Sequence, residues 1–327
     1  MFKEVLALTL SVLAAHSTTA SAQASSATDY PTKSIRMVVG FAPGGGTDII
    51  ARIAGQGISE NLRQQVVIDN RLGAGGNIAV EMVARSAPDG YTLLTTGTGT
   101  HAINPSLYSN LRWDPIKDFT PVSLIADTPY LMVVNPSVPA RSVKEFIALA
   151  KSKPGAINMA SSGAGGMPHL AGELFNLMAG TKMLHVPYKG TGAVFPDLIG
   201  GRVQVTFGDI VATLPHVKGG RLRALGITSP KRAASLQDIP TIAESGVPGY
   251  DAVGWFGVFA PAATPRAVVM KLNGAIVKYV KQPEIERRFT ELGAVVVAST
   301  PERFAEIHKA DLARWAKVVK AAGMRVE

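Results

Sequence analysis

The sequence predicts an α/β fold with two doubly wound lobes, and three features of the chain indicate it. Strand patterns alternate with helical patterns from Ile35 onward, which is typical of a parallel sheet covered by helices on both faces. At 327 residues the chain is long enough for two domains. The apolar stretch 122–135 is too long for one sheet, so we expect it to leave one lobe and enter the other.

The first series of elements is predicted from apolar periodicity. Ile50, Ile53, Ile58 and Leu62 recur at helical spacing after the strand that begins at Ile35. The predicted strands are 35–41, 64–70 and 91–97, and the predicted helices are 48–62 and 75–87.

The second series continues the alternation to the end of the chain. Its predicted strands are 129–135, 157–163, 183–189, 203–209, 222–229, 254–261 and 294–300. Its predicted helices are 142–153, 169–180, 193–201, 265–292 with a break near Pro283, and 301–322. The strand 254–261 would return the chain to the first lobe. We therefore expect one discontinuous lobe of residues 27–126 plus 253–327, and a second lobe of residues 127–252.

The N-terminus has the features of a secretory signal peptide, predicted to comprise residues 1–22. Lys3 precedes the apolar run Val5–Ala15, which is too short to span a bilayer, and Ala20-Ser21-Ala22 resembles a cleavage site. The sequence contains no cysteine, which excludes disulfides, thiolate metal sites and a lipid-modified N-terminal cysteine. We therefore expect an exported, unanchored protein in the periplasm.

Composition and motifs exclude several functional classes. The net charge is +9, but the basic residues are scattered, so we expect no nucleic-acid binding and instead an attraction for small anions. The six histidines show no metal-ligand spacing, and no catalytic motif of a hydrolase occurs. We therefore predict a protein that is not an enzyme and that has no cofactor and no metal.

Two glycine-rich loops follow predicted strands and precede predicted helices. They are Phe41–Asp48, which resembles a phosphate loop with Gly46 where lysine should stand, and Ser161–His169. Helix N-termini attract anions, and glycine lets a ligand approach the backbone. Tight turns use glycine for steric reasons too. Two such loops, one in each lobe, nevertheless favour a carboxylate, whose single charge needs no lysine.

A set of motifs resembles the Bug family, the extracytoplasmic solute receptors of tripartite tricarboxylate transporters. The motifs are FAPGGGTD, GAGGNIA, PDGYTLL, THAINPSLY, DFTPVSLIA, SSGAGGMPHLAGELF, HVPYKG and VPGYDAVGWFG. The resemblance implies a type II periplasmic-binding-protein fold that closes on a small carboxylate and delivers it to a membrane permease. It also implies that one loop of each lobe, with Thr96–His101 beside the first, holds a ligand carboxylate.

The residues expected at the site come from these loops and from neighbouring strand ends. They are Phe41, Ala42, Gly44, Gly45, Gly46, Thr47, Asp48, Thr96, Gly97, Thr98, His101, Ser161, Ser162, Gly163, His169, Tyr188, Lys189 and Asp209. In the family the second loop reads S-x-G-x-G-S-x-x-H, and here Gly166 replaces the second serine, which removes one hydroxyl donor.

Several of these residues also have a purely structural interpretation. Asp48 can stabilise the first turn of a helix or receive a ligand ammonium group, and Asp209 can cap the next helix. Ser161, Ser162 and His169 can serve either as helix-start residues or as ligand contacts. Lys189 can simply be solvated, and Phe41 can pack against the ligand or against its own lobe.

The predicted function is therefore a monomeric periplasmic receptor for a di- or tricarboxylate, an acidic amino acid or an aromatic acid. Two alternatives stay open at this stage. The protein could be a carboxylate sensor that signals to a partner, with the same cleft residues. It could also be a secreted hydrolase that uses Ser161 and His169, although no orienting acid is evident nearby.

Overall fold

The computed structural model describes residues 29–233, 236–321 and 325. The predicted signal peptide lies outside the described residues. Within them, none of the helices combines the length and apolarity that a membrane span needs.

The order of elements follows the predicted alternation. The strands are β1 (Ile35–Val39), β2 (Val66–Asn70), β3 (Thr92–Gly97), β4 (Phe119–Val134), β5 (Asn158–Ser161), β6 (Leu184–Pro187), β7 (Val205–Asp209), β8 (Arg223–Ile227), β9 (Val253–Pro261) and β10 (Val295–Val296). The α-helices are α1 (Gly46–Leu62), α2 (Asn77–Ala84), α3 (Asn104–Leu107), α4 (Val143–Ser152), α5 (Met167–Ala179), α6 (Thr191–Ile199), α7 (Ile210–Lys218), α8 (Arg266–Val280), α9 (Pro283–Glu291) and α10 (Pro301–Ala321).

The strands are joined in the order β2-β1-β3-β9-β4-β7-β5-β6, and β8 and β10 also pair with β4. The ladders within each βαβ series are parallel, as the alternation predicts. The sheet is nevertheless mixed, because β9 runs antiparallel to β3 and β4, and β4 runs antiparallel to β7 and β8. These antiparallel pairs involve β4 and β9, which are not joined to their neighbouring strands by βαβ connections, so the alternation does not predict them.

Strand β4 belongs to two groups of strands. Its first part, Phe119–Pro129, pairs with β9, and its last part, Tyr130–Val134, pairs with β7. Its burial explains the long apolar run: Leu131 and Val133 pack in the hydrophobic core on one face, while Met132 and Val134 pack in the core on the other. The two groups of strands are therefore joined by the adjacent strands β4 and β9.

Some predicted elements differ from the structure. The strand predicted at 294–300 is reduced to β10, because Ala298 has φ 48° and so leaves the extended conformation. A π-helix, Gly99–Ile103, follows β3, and the periodicity predicts neither this helix nor α3. For α7 the sequence suggests only the cap, Asp209, and not the extent of the helix. The predicted break near Pro283 separates α8 from α9.

Candidate functional site

A cavity of about 410 Å³, including its open mouth, lies at the carboxyl ends of β1, β3, β5 and β7. Its lining residues are Phe41, Gly45, Gly46, Thr47, Gly97, Gly99, Thr100, Tyr130, Ser162, Gly166, Met167, Pro168, Thr191, Asp209 and Phe256. The described lining residues include no Lys, Arg or His. The cavity therefore combines apolar walls with hydroxyls, backbone amides and the carboxyl group of Asp209.

Helices α1, α5 and α6 all begin at this cavity. Their N-cap residues are Gly45, Gly166 and Gly190, which have no side chain to cap the helix, and at the start of α1 the Gly46 N–H donates to the Asp209 carboxyl group. The first N–H groups of a helix have no intrahelical partner and carry a partial positive charge. These helix starts can therefore bind an anion without a cationic side chain.

Asp48 holds the first glycine loop in place. Its carboxylate accepts hydrogen bonds from the Gly44 N–H at 3.0 Å, from Asn70 Nδ2 at 3.1 Å and from Arg52 Nε at 2.9 Å. Burial opposes ionisation, but the hydrogen bonds from Arg52, Gly44 and Asn70 outweigh it and hold the Asp48 pKa below its usual value. Asp48 does not line the cavity. Its contacts make it a support for the loop.

Asp209, the last residue of β7, binds the start of α1. It is 3% exposed and accepts hydrogen bonds from the N–H groups of Ala212 and Gly46 and from the Thr191 hydroxyl. Burial raises the pKa of Asp209, and these hydrogen bonds partly offset the effect. Asp209 thus caps α7, as the sequence suggested, and also contacts the start of α1.

Two further hydrogen bonds join loops that follow different groups of strands. The Ala42 N–H donates to the carbonyl oxygen of Lys189 at 3.0 Å. The Tyr108 hydroxyl donates to the carbonyl oxygen of Ala164 at 2.9 Å. The glycine loop that follows β1 therefore contacts the segment after β6, and Tyr108, directly after α3, contacts the loop after β5.

In the second glycine loop, the two serines have different positions. Ser162 lines the cavity, whereas Ser161 is fully buried, with Oγ 2.6 Å from His185 Nε2 and 3.1 Å from the carbonyl oxygen of Gly163. Ser161 has no access to a substrate in the cavity, so its contact with His185 gives no support to the hydrolase alternative. A Cβ at Gly166 would lie 2.7 Å from Ser162 Oγ, so glycine at 166 leaves room for that hydroxyl.

The segment after β3 is only partly exposed to the cavity. Gly97, Gly99 and Thr100 line it, but Thr96, Thr98 and His101 do not. Thr98 Oγ1 accepts the Trp255 N–H at 2.8 Å. His101 is fully buried against Trp113, Phe119, Phe259 and His308, and this burial lowers its pKa well below the usual value. His101 is part of an aromatic core beside the site.

A second cavity of about 600 Å³, including open solvent, shares Phe41 and Ser162 with the first, whereas the expected residues Ala42, Gly44 and His169 line neither cavity. Gly163, Tyr188 and Lys189 line the second cavity. The Tyr188 hydroxyl donates to Asp197 at 2.7 Å. The exposed side of the site is therefore formed by the segment after β6.

Sequence reasoning missed three lining residues, which are Tyr130, Thr191 and Phe256. The other lining residues are Asp209 and members of the predicted segments 41–48, 96–101 and 161–169. Tyr130 and Phe256 lie in the crossing strands β4 and β9, whose apolar pattern indicates only core packing. Thr191 directly follows the HVPYKG motif, so a longer reading of that motif could have found it.

Comparisons with known proteins agree with this architecture. A family model described as the tripartite tricarboxylate transporter family receptor matches residues 50–324. Protein BugT of Bordetella pertussis is 37% identical over 303 residues, which cover 92% of this chain and 93% of BugT.

Two similar solved structures contain organic acids. R. palustris Rpa4515 with adipate is 39% identical, with a TM-score of 0.88 over 90% of this chain and 99% of that chain. MatC from Rhodopseudomonas palustris with bound malate is 34% identical, with a TM-score of 0.85 over 89% of this chain and 100% of that chain.

Proposed function

Since the chain belongs to the tripartite tricarboxylate transporter receptor family and is therefore a periplasmic solute receptor, we propose that its ligand is a small carboxylate. The carboxylate is captured in the cavity at the starts of α1, α5 and α6 and is then delivered to a membrane permease. The receptor acts as a monomer, and its signal peptide is cleaved after Ala22. Two lobes, 27–126 plus 253–327 and 127–252, close around the ligand.

The convergence of three helix starts with glycine N-caps is the observation that carries this proposal. Apart from the Gly46 N–H, which donates to Asp209, their first N–H groups favour an anion, and the described lining residues supply no cation that would select a phosphate over a carboxylate. The adipate and malate bound by two relatives support the same chemical class. The expected ligand contacts are the backbone of both glycine loops and the hydroxyls of Thr47, Ser162 and Tyr130.

The proposal is tested by identifying what the purified protein binds. Native mass spectrometry of the protein as purified is followed by a thermal-shift screen of mono-, di- and tricarboxylic acids, acidic amino acids, sugars and amines. A ligand at 100 times its dissociation constant adds about 2.7 kcal/mol to the free energy of unfolding, which such a screen detects. We expect a carboxylic acid to give the largest shift. A screen won by sugars or amines would refute the proposal.

A further inference from the structure

His169 and His185 form a stacked pair beneath the second glycine loop. His169 lies in the first turn of α5 and His185 lies in β6. The ring centroids are 3.7 Å apart and the ring planes differ by 11°. Neither ring lines either cavity of the site. The pair is therefore placed to act on the loop and not on a ligand.

Each ring is bonded to a different part of this loop. His169 Nδ1 accepts the Gly165 N–H at 3.2 Å, which places the proton of the neutral ring on Nε2. His185 Nε2 lies 2.6 Å from Ser161 Oγ, and that oxygen accepts the Gly163 N–H at 3.2 Å. The two rings thus fix the backbone amides at 163 and 165.

The surroundings of the pair keep both rings neutral. Burial lowers the pKa of His169 to about 3, with a further contribution from His185, and burial lowers the pKa of His185 to about 4. The Glu173 carboxylate lies 3.9 Å from His169 Nε2 and would favour a charged ring, but burial opposes the charge and also raises the pKa of Glu173. Burial therefore outweighs this one nearby carboxylate.

We propose that His169 and His185, with Ser161, are positioning residues that fix the loop 161–166 for ligand capture, and that they do so only as neutral rings. The link to capture rests on the proposed function, because Ser162 and Gly166 of this loop line the cavity. A protonated His169 has no lone pair at Nδ1, so the Gly165 N–H loses its acceptor. A second positive ring would also repel the first across the stack.

The first arm of the test needs no ligand. Amide hydrogen exchange at Gly163 and Gly165 is measured in the full chain, together with the imidazole ¹⁵N titration of His169. In His185→Phe, which keeps a ring against His169, we expect ~10-fold faster exchange at Gly163 with Gly165 little changed, since one hydrogen bond is lost. In His185→Ala, both amides should exchange faster and the pKa of His169 should rise toward 6.5. His216→Gln, a histidine outside the pair, should leave both amides unchanged. Unchanged exchange at Gly163 and Gly165 in both His185 variants would overturn the proposal.

The second arm measures the affinity for adipate between pH 4 and pH 8. Adipate itself takes up protons in acid, so the wild type and His216→Gln should lose affinity over the same acidic pH range. His185→Ala should lose affinity at a higher pH and should bind adipate ~10-fold more weakly at neutral pH. Identical profiles in all three proteins would contradict the role in capture. If neither adipate nor any acid of the screen binds the wild type, the proposed function fails, while the exchange measurements still decide whether the pair supports the loop.

Discussion

Gly45 and Gly46, at the start of α1, have different surroundings. A Cβ at Gly46 would lie 2.6 Å from Asp209 Cγ and 3.0 Å from the Phe256 ring, whereas a Cβ at Gly45 would lie 3.5 Å from its nearest neighbours. Gly46→Ala should therefore keep the start of α1 away from Asp209 and open the cleft. We expect at least ~100-fold weaker carboxylate binding, equivalent to about two charge-assisted hydrogen bonds.

Gly45→Ala is the matched control for this variant, since its methyl group would lie at ordinary van der Waals distances from the surrounding atoms. It should weaken binding much less than Gly46→Ala, with both proteins folded by circular dichroism. Calorimetric titration with the acid that wins the screen measures the two losses. Equal losses in the two variants would show that the approach to Asp209 is unimportant.

Asp48 should contribute to stability in a pH-dependent way. Its folded pKa lies below the usual value, so the ionised form stabilises the fold above about pH 4, and this contribution is lost as the pH falls through the folded pKa. Asp48→Asn should lower the free energy of unfolding at pH 7 by ~1–3 kcal/mol, because hydrogen bonds to a charged group are lost. The difference should shrink in acid.

Denaturant unfolding of Asp48→Asn at pH 7 and pH 3 checks this expectation. Asp238→Asn provides the control, because Asp238 is exposed and lies outside the site. A deficit of Asp48→Asn that is the same at both pH values would mean that the charge of Asp48 does not stabilise the loop.

At the scale of the elements, we expect the proposed closure around the ligand to depend on bonds between segments that come from different groups of strands. The Tyr108 hydroxyl after α3 reaches the Ala164 carbonyl in the loop after β5. Tyr108→Phe removes this hydrogen bond. The variant should bind the ligand ~5-fold more weakly, because a typical hydrogen bond contributes about 1 kcal/mol. Tyr91→Phe removes a hydroxyl that bonds only Thr32 among the described residues. It should leave affinity unchanged, and a matching loss in both variants would contradict the closing role of Tyr108.

The elements show how far sequence patterns reach. Helix α1 and the strands before both glycine loops can be predicted from apolar periodicity and glycine placement, because these are local features of the sequence. Local patterns do not predict the antiparallel pairing of β9, because this pairing depends on contacts between distant segments. They also do not predict how short β10 is, because its length depends on the φ angle of Ala298. His101 illustrates the same limit at the site. A histidine in a polar run looks functional until tertiary packing places it among aromatic rings.

At the scale of the whole molecule, β4 and β9 join the two groups of strands. Asp127 pairs with Trp255 and Thr128 with Gly254, and the register shifts between Leu124 and Ala126. We therefore expect a hinge near residues 126–128 and 253–255, because the two paired strands have an irregularity there at which a strand can bend. Small-angle scattering should give a smaller radius of gyration with saturating ligand than without it. An unchanged radius at saturation would count against a hinge.

The central claim is that backbone amides at the starts of α1, α5 and α6 hold a carboxylate. The most direct test is calorimetric titration of the wild type with a binding acid and with its primary amide, which matches the acid in shape but has no charge. The account predicts at least ~100-fold tighter binding of the acid, since about two charge-assisted hydrogen bonds are lost with the amide. Equal affinity for the acid and the amide would contradict it.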